Sequence, residues 1–217
     1  MNFLIDFILH IDEHLVTIVN QFGDWTYLIL FAIIFIETGA VILPFLPGDS
    51  LLFAAAALAA NPAYHLHIWL FVVLFLIACL AGDSLNFYLG RNVEKLLQHS
   101  KLFSRLLDKD SLEKGREFFE KHGAIAIILA RFMPIIRTFV PFVAAGSGFE
   151  YRRFIKYNWT ACVAWVALCC GAGYFFGNLP FVKAHFSAII LAIIVVTLIP
   201  AVVGFIKTKM GSKKVAQ

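Results

Sequence analysis

The chain has 217 residues, 61% of them hydrophobic and only 15% charged, with a formal net charge of +4 and a mean hydropathy of +0.84. Soluble domains average about 45–50% apolar and about 25% charged residues, so a water-soluble domain of this length could not hide so much apolar surface. Cys79, Cys162, Cys169 and Cys170 all fall in apolar stretches without CxxC spacing, which indicates neither a zinc site nor a disulfide framework and leaves them as small, packable residues.

The first element is an amphipathic segment over 1–24. It has no basic region ahead of its apolar residues, and Asp6, Asp12 and Glu13 interrupt them, which argues against a cleaved secretory signal. Phe3, Leu4, Phe7, Ile8 and Ile11 fall on one face of a helix, the pattern of a helix lying at the membrane interface. From 25 to 206 the sequence reads as one membrane domain. Its first apolar run, 26–60, exceeds the roughly 20 residues that cross a hydrocarbon core of about 30 Å, and Pro44, Pro47 and Gly48 cut it. Proline removes a backbone donor and clashes with the preceding turn, and glycine tolerates a tight reversal, so two half-helices meeting at a bend are predicted.

A crossing helix follows at 66–90. Residues 91–122 then carry eight basic and six acidic side chains, with Leu96, Leu97, Leu102, Phe103, Leu106 and Leu107 at near-helical spacing, which predicts amphipathic helices on the membrane surface. Mixed charge and tethering by membrane spans on both sides speak against nucleic-acid binding there. A second interrupted run, 123–148, contains Pro134 and Pro141, and crossing helices at 157–177 and 186–206 lead to a basic tail at 207–217. A kinked crossing helix is the competing reading of each interrupted run.

No Lys or Arg precedes Arg91, whereas three basic clusters follow: 91–121, Arg152 with Arg153 and Lys156, and Lys207, Lys209, Lys213 and Lys214. By the positive-inside rule all three are cytoplasmic. The 123–148 run must then enter and leave by the same face, and about 25 residues make a re-entrant hairpin rather than two crossings. Working backwards, the 26–60 hairpin opens outward. The predicted fold class is an all-α polytopic membrane protein with two oppositely oriented re-entrant helical hairpins and about three full transmembrane helices, an inverted-topology repeat. A short match between Phe-Tyr-Leu-Gly ending at Gly90 and Tyr-Phe-Phe-Gly ending at Gly177 agrees.

Four ionisable residues stand inside the interrupted runs: Glu37 and Asp49 in the first, Arg131 and Arg137 in the second. Such groups are costly at membrane depth, and beside broken helices they mark a polar site within the bilayer. Asp49 or Ser50 could instead cap the second half-helix. Glu37 has no basic neighbour in sequence, and desolvation disfavours its charged form unless an arginine approaches, which makes it a candidate proton carrier. Arg131 and Arg137 offer planar forks suited to phosphate or carboxylate, and a half-helix N-terminus near Thr138 or Pro141 would add positive potential for an anionic headgroup. Alternatively each arginine neutralises a carboxylate of the opposite hairpin, and the two roles are compatible. Asp83 is a further candidate for proton relay or for pairing with an arginine.

Glu37-Thr-Gly, Pro44-Phe-Leu-Pro-Gly-Asp-Ser-Leu-Leu, Gly82-Asp, Phe119-Glu-Lys-His-Gly and the run from Ala130-Arg-Phe-Met-Pro-Ile-Ile-Arg-Thr to Gly146 together resemble the bacterial DedA family. The resemblance continues through Tyr151-Arg-Arg-Phe and Trp165 to Gly177, nearly the whole chain. It implies facing re-entrant hairpins, an inner-membrane location and a role in envelope homeostasis. Members of the family are implicated in proton-motive-force-dependent transport and in returning undecaprenyl phosphate across the bilayer; some are linked to phosphatidylethanolamine movement. The acidic pair and arginine pair important in the family match Glu37, Asp49, Arg131 and Arg137. The expected function is therefore a flippase rather than an enzyme, with a phosphate-headed lipid and protons as partners, no cofactor, metal or nucleic acid, and homo-oligomerisation left open. A proton-coupled exporter of small ions or drugs using the same residues is the alternative; an integral membrane phosphatase and a non-transporting scaffold stand behind it.

Overall fold

The computed structural model describes residues 11–39, 48–92, 125–186, 188–189 and 191–193. Every regular element among them is helical: α1 (Ile11–Phe22), α2 (Trp25–Gly39), α3 (Gly48–Ala59), a 3-10 turn (Pro62–Tyr64), α4 (Ile68–Arg91), α5 (Ile125–Ala130), α6 (Pro134–Gly146), α7 (Tyr151–Phe176) and α8 (Pro180–Ala184). Among the described residues, α4 and α7, with 24 and 26 residues, are long and apolar enough to cross a membrane. Trp69, Val73 and Ile77 on α4 and Val163, Leu168 and Phe175 on α7 point outward, as lipid-facing residues do. The 15, 12 and 13 residues of α2, α3 and α6 reach only about 18–22 Å at about 1.5 Å per residue, short of a hydrocarbon core of about 30 Å.

The packing makes one arrangement twice. α2 lies along α4 and α5 along α7, while α3 crosses to α7 and α6 crosses to α4. A glycine permits each crossing: a Cβ on Gly90 would strike the backbone of Phe142, and one on Gly173 would strike the backbone of Phe53. Small residues let helices approach closely where lipid supplies no hydrophobic drive between them. Gly90 and Gly173 thus do corresponding jobs, one helical turn away from the Gly90 and Gly177 register that the aromatic match suggests; Gly177 instead faces Ala57. Phe71, Phe75, Leu51, Leu52, Ile34 and Trp165 anchor the larger buried cluster, and Phe87, Ile127, Ala144 and Phe154 a second one.

Phe3, Leu4, Phe7 and Ile8, which carry the expected N-terminal amphipathic face, lie outside the described residues; α1, described from Ile11, packs on the alanine-rich α3 with Leu15 and Val19, one turn apart, buried. Two other expectations need adjustment. α7 begins at Tyr151 rather than at the start of the predicted 157–177 crossing, so Arg152, Arg153 and Lys156 ride on its first turns; their long side chains reach water while the helix continues into lipid. Pro141 does not interrupt the helix. The interruption falls at 131–133, directly before Pro134, which opens α6 at a position where a missing N–H costs nothing. Pro141 lies inside α6, where buried Val140, Phe142 and Ala144 hold the helix through it despite the donor lost to the Arg137 carbonyl. The predicted bends at Pro44 and Pro47, the surface helices within 93–122, most of the 186–206 span and the 207–217 tail lie outside the described residues.

Candidate functional site

α2 carries Glu37 in its last turn, and α3 starts at Gly48, so a buried carboxylate meets the unpaired N–H groups of a helix start. The Gly48 N–H donates to Glu37 Oε1 at 3.3 Å, an arrangement favoured by the positive end of the helix dipole. Glycine leaves room for this contact, because a Cβ on Gly48 would overlap the Glu37 carboxylate where it now lies. Asp49 is consequently not spent on capping. Its Oδ1 accepts from Arg137 Nη1 at 2.8 Å and from the Trp165 indole N–H at 3.0 Å.

The arginines arrive from the other half. Arg131 occupies the turn after α5, and Arg137 sits in the first turn of α6, so the helix start predicted near Thr138 or Pro141 lies earlier, at Pro134. Arg137 divides its fork, Nη1 to Asp49 and Nη2 to Glu37. Arg131 Nη1 donates to Asp83 Oδ2 of α4, and the Cys162 thiol contacts that same oxygen at 3.6 Å. Both guanidinium carbons lie 5.0 Å from the centroid of the Trp165 ring, a cation–π geometry that joins the two ion-pair groups through one side chain. Three residues after Asp83, Asn86 donates to the Thr38 carbonyl at 2.6 Å and the Thr138 carbonyl at 3.4 Å. It thereby ties the residue after Glu37 to the residue after Arg137.

Three carboxylates and two guanidiniums share this space, a formal surplus of one negative charge. Glu37, Asp83, Arg131 and Arg137 are buried, whereas Asp49 keeps 16% of its side chain exposed. Breaking a buried pair by removing one partner costs about 3–5 kcal/mol, so the network is structural whatever else it does. Several polar atoms remain without a hydrogen-bond partner among the described residues: Arg131 Nε and Nη2, Arg137 Nε, Glu37 Oε2 and Asp83 Oδ1. The arrangement can hold an anion with several acceptor oxygens, and it can exchange protons among closely spaced carboxylates.

Of the residues singled out from sequence, Glu37, Asp49 and Arg137 meet directly, and Arg131 and Asp83 pair beside them. Gly48 and Pro134 mark the two helix starts that frame the cluster. Trp165, Asn86 and Cys162 carry roles that sequence reasoning did not assign. Their polar atoms inside otherwise apolar spans were the available signal, since such atoms seek partners in a bilayer.

The VTT domain family matches residues 46–175, which takes in Asp49, Asp83, Arg131, Arg137 and Trp165 and leaves Glu37 outside. The chain is 48% identical to Protein DedA of Escherichia coli strain K12 over 216 residues, 99% of this chain and 98% of that protein. It is 42% identical over 172 residues to an uncharacterized membrane protein of Mycobacterium tuberculosis strain H37Rv, covering 79% of this chain and 75% of the relative. It is 30% identical over 204 residues to the inner membrane protein YghB of Salmonella typhimurium, covering 94% and 88%. No solved structure matches.

Proposed function

The chain belongs to the DedA family of VTT-domain membrane proteins, and from that premise we propose that it is a multi-pass inner-membrane lipid translocase whose substrate is undecaprenyl phosphate. The observation that carries this reading is the meeting of Arg137 with Glu37 and Asp49, beside Arg131 with Asp83, on short helices from both halves of the chain. In this reading the α2–α3 and α5–α6 pairs are re-entrant hairpins hanging from opposite faces. Their lengths support it, being too short to span a bilayer. The basic residues on the first turns of α7 support a cytoplasmic start for that helix, and the C-terminus then lies inside.

The phosphate takes the place of the carboxylates on the guanidiniums. Arg131 Nε and Nη2 and Arg137 Nε are donors ready for its oxygens. Charge counting then supplies the coupling: a phosphate monoester brings roughly −1.5 to −2 into a site that already has a surplus of one negative charge. Glu37 and Asp49, displaced from Arg137, take up protons as the headgroup enters and give them back as it leaves. Alternate opening toward each face, with the two halves as the moving bodies, carries the headgroup across while the prenyl chain stays in lipid.

Purified protein in vesicles holding labelled undecaprenyl phosphate tests this. Wild type speeds the appearance of the phosphate on the opposite leaflet, and Arg131→Ala and Arg137→Ala do not. Equal rates for all three would refute the headgroup role.

A further inference from the structure

Asp49, the least enclosed of the five charged side chains, lines a cavity of about 180 Å³. Its remaining walls are almost wholly apolar. Phe53 stands one turn after Asp49 on α3; Trp165, Leu168 and Ala172 form a stripe along α7; and Phe132 closes it from the α5–α6 turn. Residues three or four apart share a helix face, so this lining follows directly from the sequence of the two helices. Leu168 and Phe132 are 62% and 41% exposed and form the rim toward the outside of the bundle.

We propose that this cavity is a chain-binding subsite, which holds the head-proximal part of the hydrocarbon tail of an amphiphilic phosphate while the phosphate engages the arginines. The proposal rests on the lipid-phosphate reading above and specifies what kind of molecule that site accepts. A hydrated inorganic anion would have to shed water along apolar walls and pass a carboxylate that repels it. A phosphate ester with a hydrocarbon chain gains from the same walls, because its apolar surface leaves water or lipid for a fitted pocket. An apolar cavity of about 150 Å³ accommodates a benzene-sized group, so this one takes about one short branched unit of the chain. The rest of the tail runs out over the Leu168 and Phe132 rim into lipid.

Trp165 is both wall and reporter. Trp25, Trp69 and Trp159 are exposed, and replacing all three by Phe leaves Trp165 as the single emitter. In detergent, a long-chain alkyl phosphate brominated near its head should quench this emission saturably. A brominated alcohol of equal length should need at least tenfold higher concentration. Unbrominated prenyl phosphate should compete, and inorganic phosphate should not. Ala172→Phe, which fills the cavity, should weaken the quenching at least fivefold, and Ala172→Leu should shift it in the same direction by less. Quenching that is unsaturable, or unchanged by both cavity-filling variants, or reversed by inorganic phosphate as well as by prenyl phosphate, overturns the proposal. The two readings fail separately: saturable quenching without translocation in vesicles refutes the flippase and keeps the subsite, while translocation without saturable quenching does the reverse.

Discussion

The Trp165 indole N–H donates to Asp49 Oδ1 at 3.0 Å, linking residues 116 positions apart and joining α7 to the first turn of α3. The same ring receives both guanidiniums. Trp165→Phe keeps an aromatic face and removes the N–H, so the fold should survive. A hydrogen bond to a charged group is worth about 1.5–3 kcal/mol, so lipid-phosphate translocation should fall roughly tenfold or more. Trp165→Ala removes both cation–π contacts as well and should lose more, in activity and in thermal stability in detergent. Equal activity of wild type and Trp165→Phe would show the N–H to be idle.

Arg137→Ala strands the buried Glu37 and the partly exposed Asp49 and should destabilise the protein by about 3–5 kcal/mol. Adding Glu37→Gln and Asp49→Asn to that variant should recover most of the stability, since no unpaired charge is left, and none of the translocation. Arg137→Lys is the sharper probe of function. A lysine is a single point charge that cannot reproduce the two-pronged contact to Glu37 and Asp49, so activity should drop at least tenfold even where the protein folds. Thermal melts and vesicle assays on the same preparations separate the two roles; full translocation by Arg137→Lys would show that transport does not need the two-pronged contact.

Gly48→Ala places a methyl group where the Glu37 carboxylate lies. Glu37 must move off Arg137 or α3 must shift, so translocation should be lost together with stability. Gly90→Ala and Gly173→Ala push on backbone at the two helix crossings instead, and should lower stability first. Melting temperature against transport rate for the three variants tests this ordering.

Proton uptake on headgroup binding requires that lipid-phosphate affinity rise as pH falls, because the bound state then carries more protons than the free one. Glu37→Gln retains an acceptor for Gly48 and cannot exchange a proton. Translocation by wild type should accelerate when a pH gradient is imposed, and translocation by Glu37→Gln should be slower and respond less to the gradient, because Asp49 alone is left to exchange protons. An unchanged gradient response in this variant would move the coupling to another carboxylate.

Glu37, Asp49, Arg131 and Arg137 were legible from sequence because a charge inside an apolar run has few explanations. Asp83 was legible as a candidate, but its choice of Arg131 depends on how α4 meets the α5–α6 turn, which no local pattern encodes. Asn86 and Trp165 were harder. Asn86 follows a short polar cluster on α4, and its value comes from reaching two carbonyls on different helices at once. Trp165 fits an apolar span equally well as plain packing, and only the convergence of α3, α6 and α7 gives its N–H and ring face their partners. Proline position was ambiguous for a related reason: Pro134 starts a helix and Pro141 sits within the same one, and tertiary packing rather than proline chemistry decides between those outcomes.

The central claim is that the arginines of one half and the carboxylates of the other form a single headgroup site for a lipid phosphate. Its most direct test is the rate of undecaprenyl phosphate translocation in vesicles reconstituted with wild type or with Arg137→Lys, under an imposed proton gradient and at matched protein content. The account predicts gradient-stimulated translocation by wild type that falls at least tenfold in Arg137→Lys. Equal translocation by the two proteins, or wild-type translocation no faster than in protein-free vesicles, would contradict it.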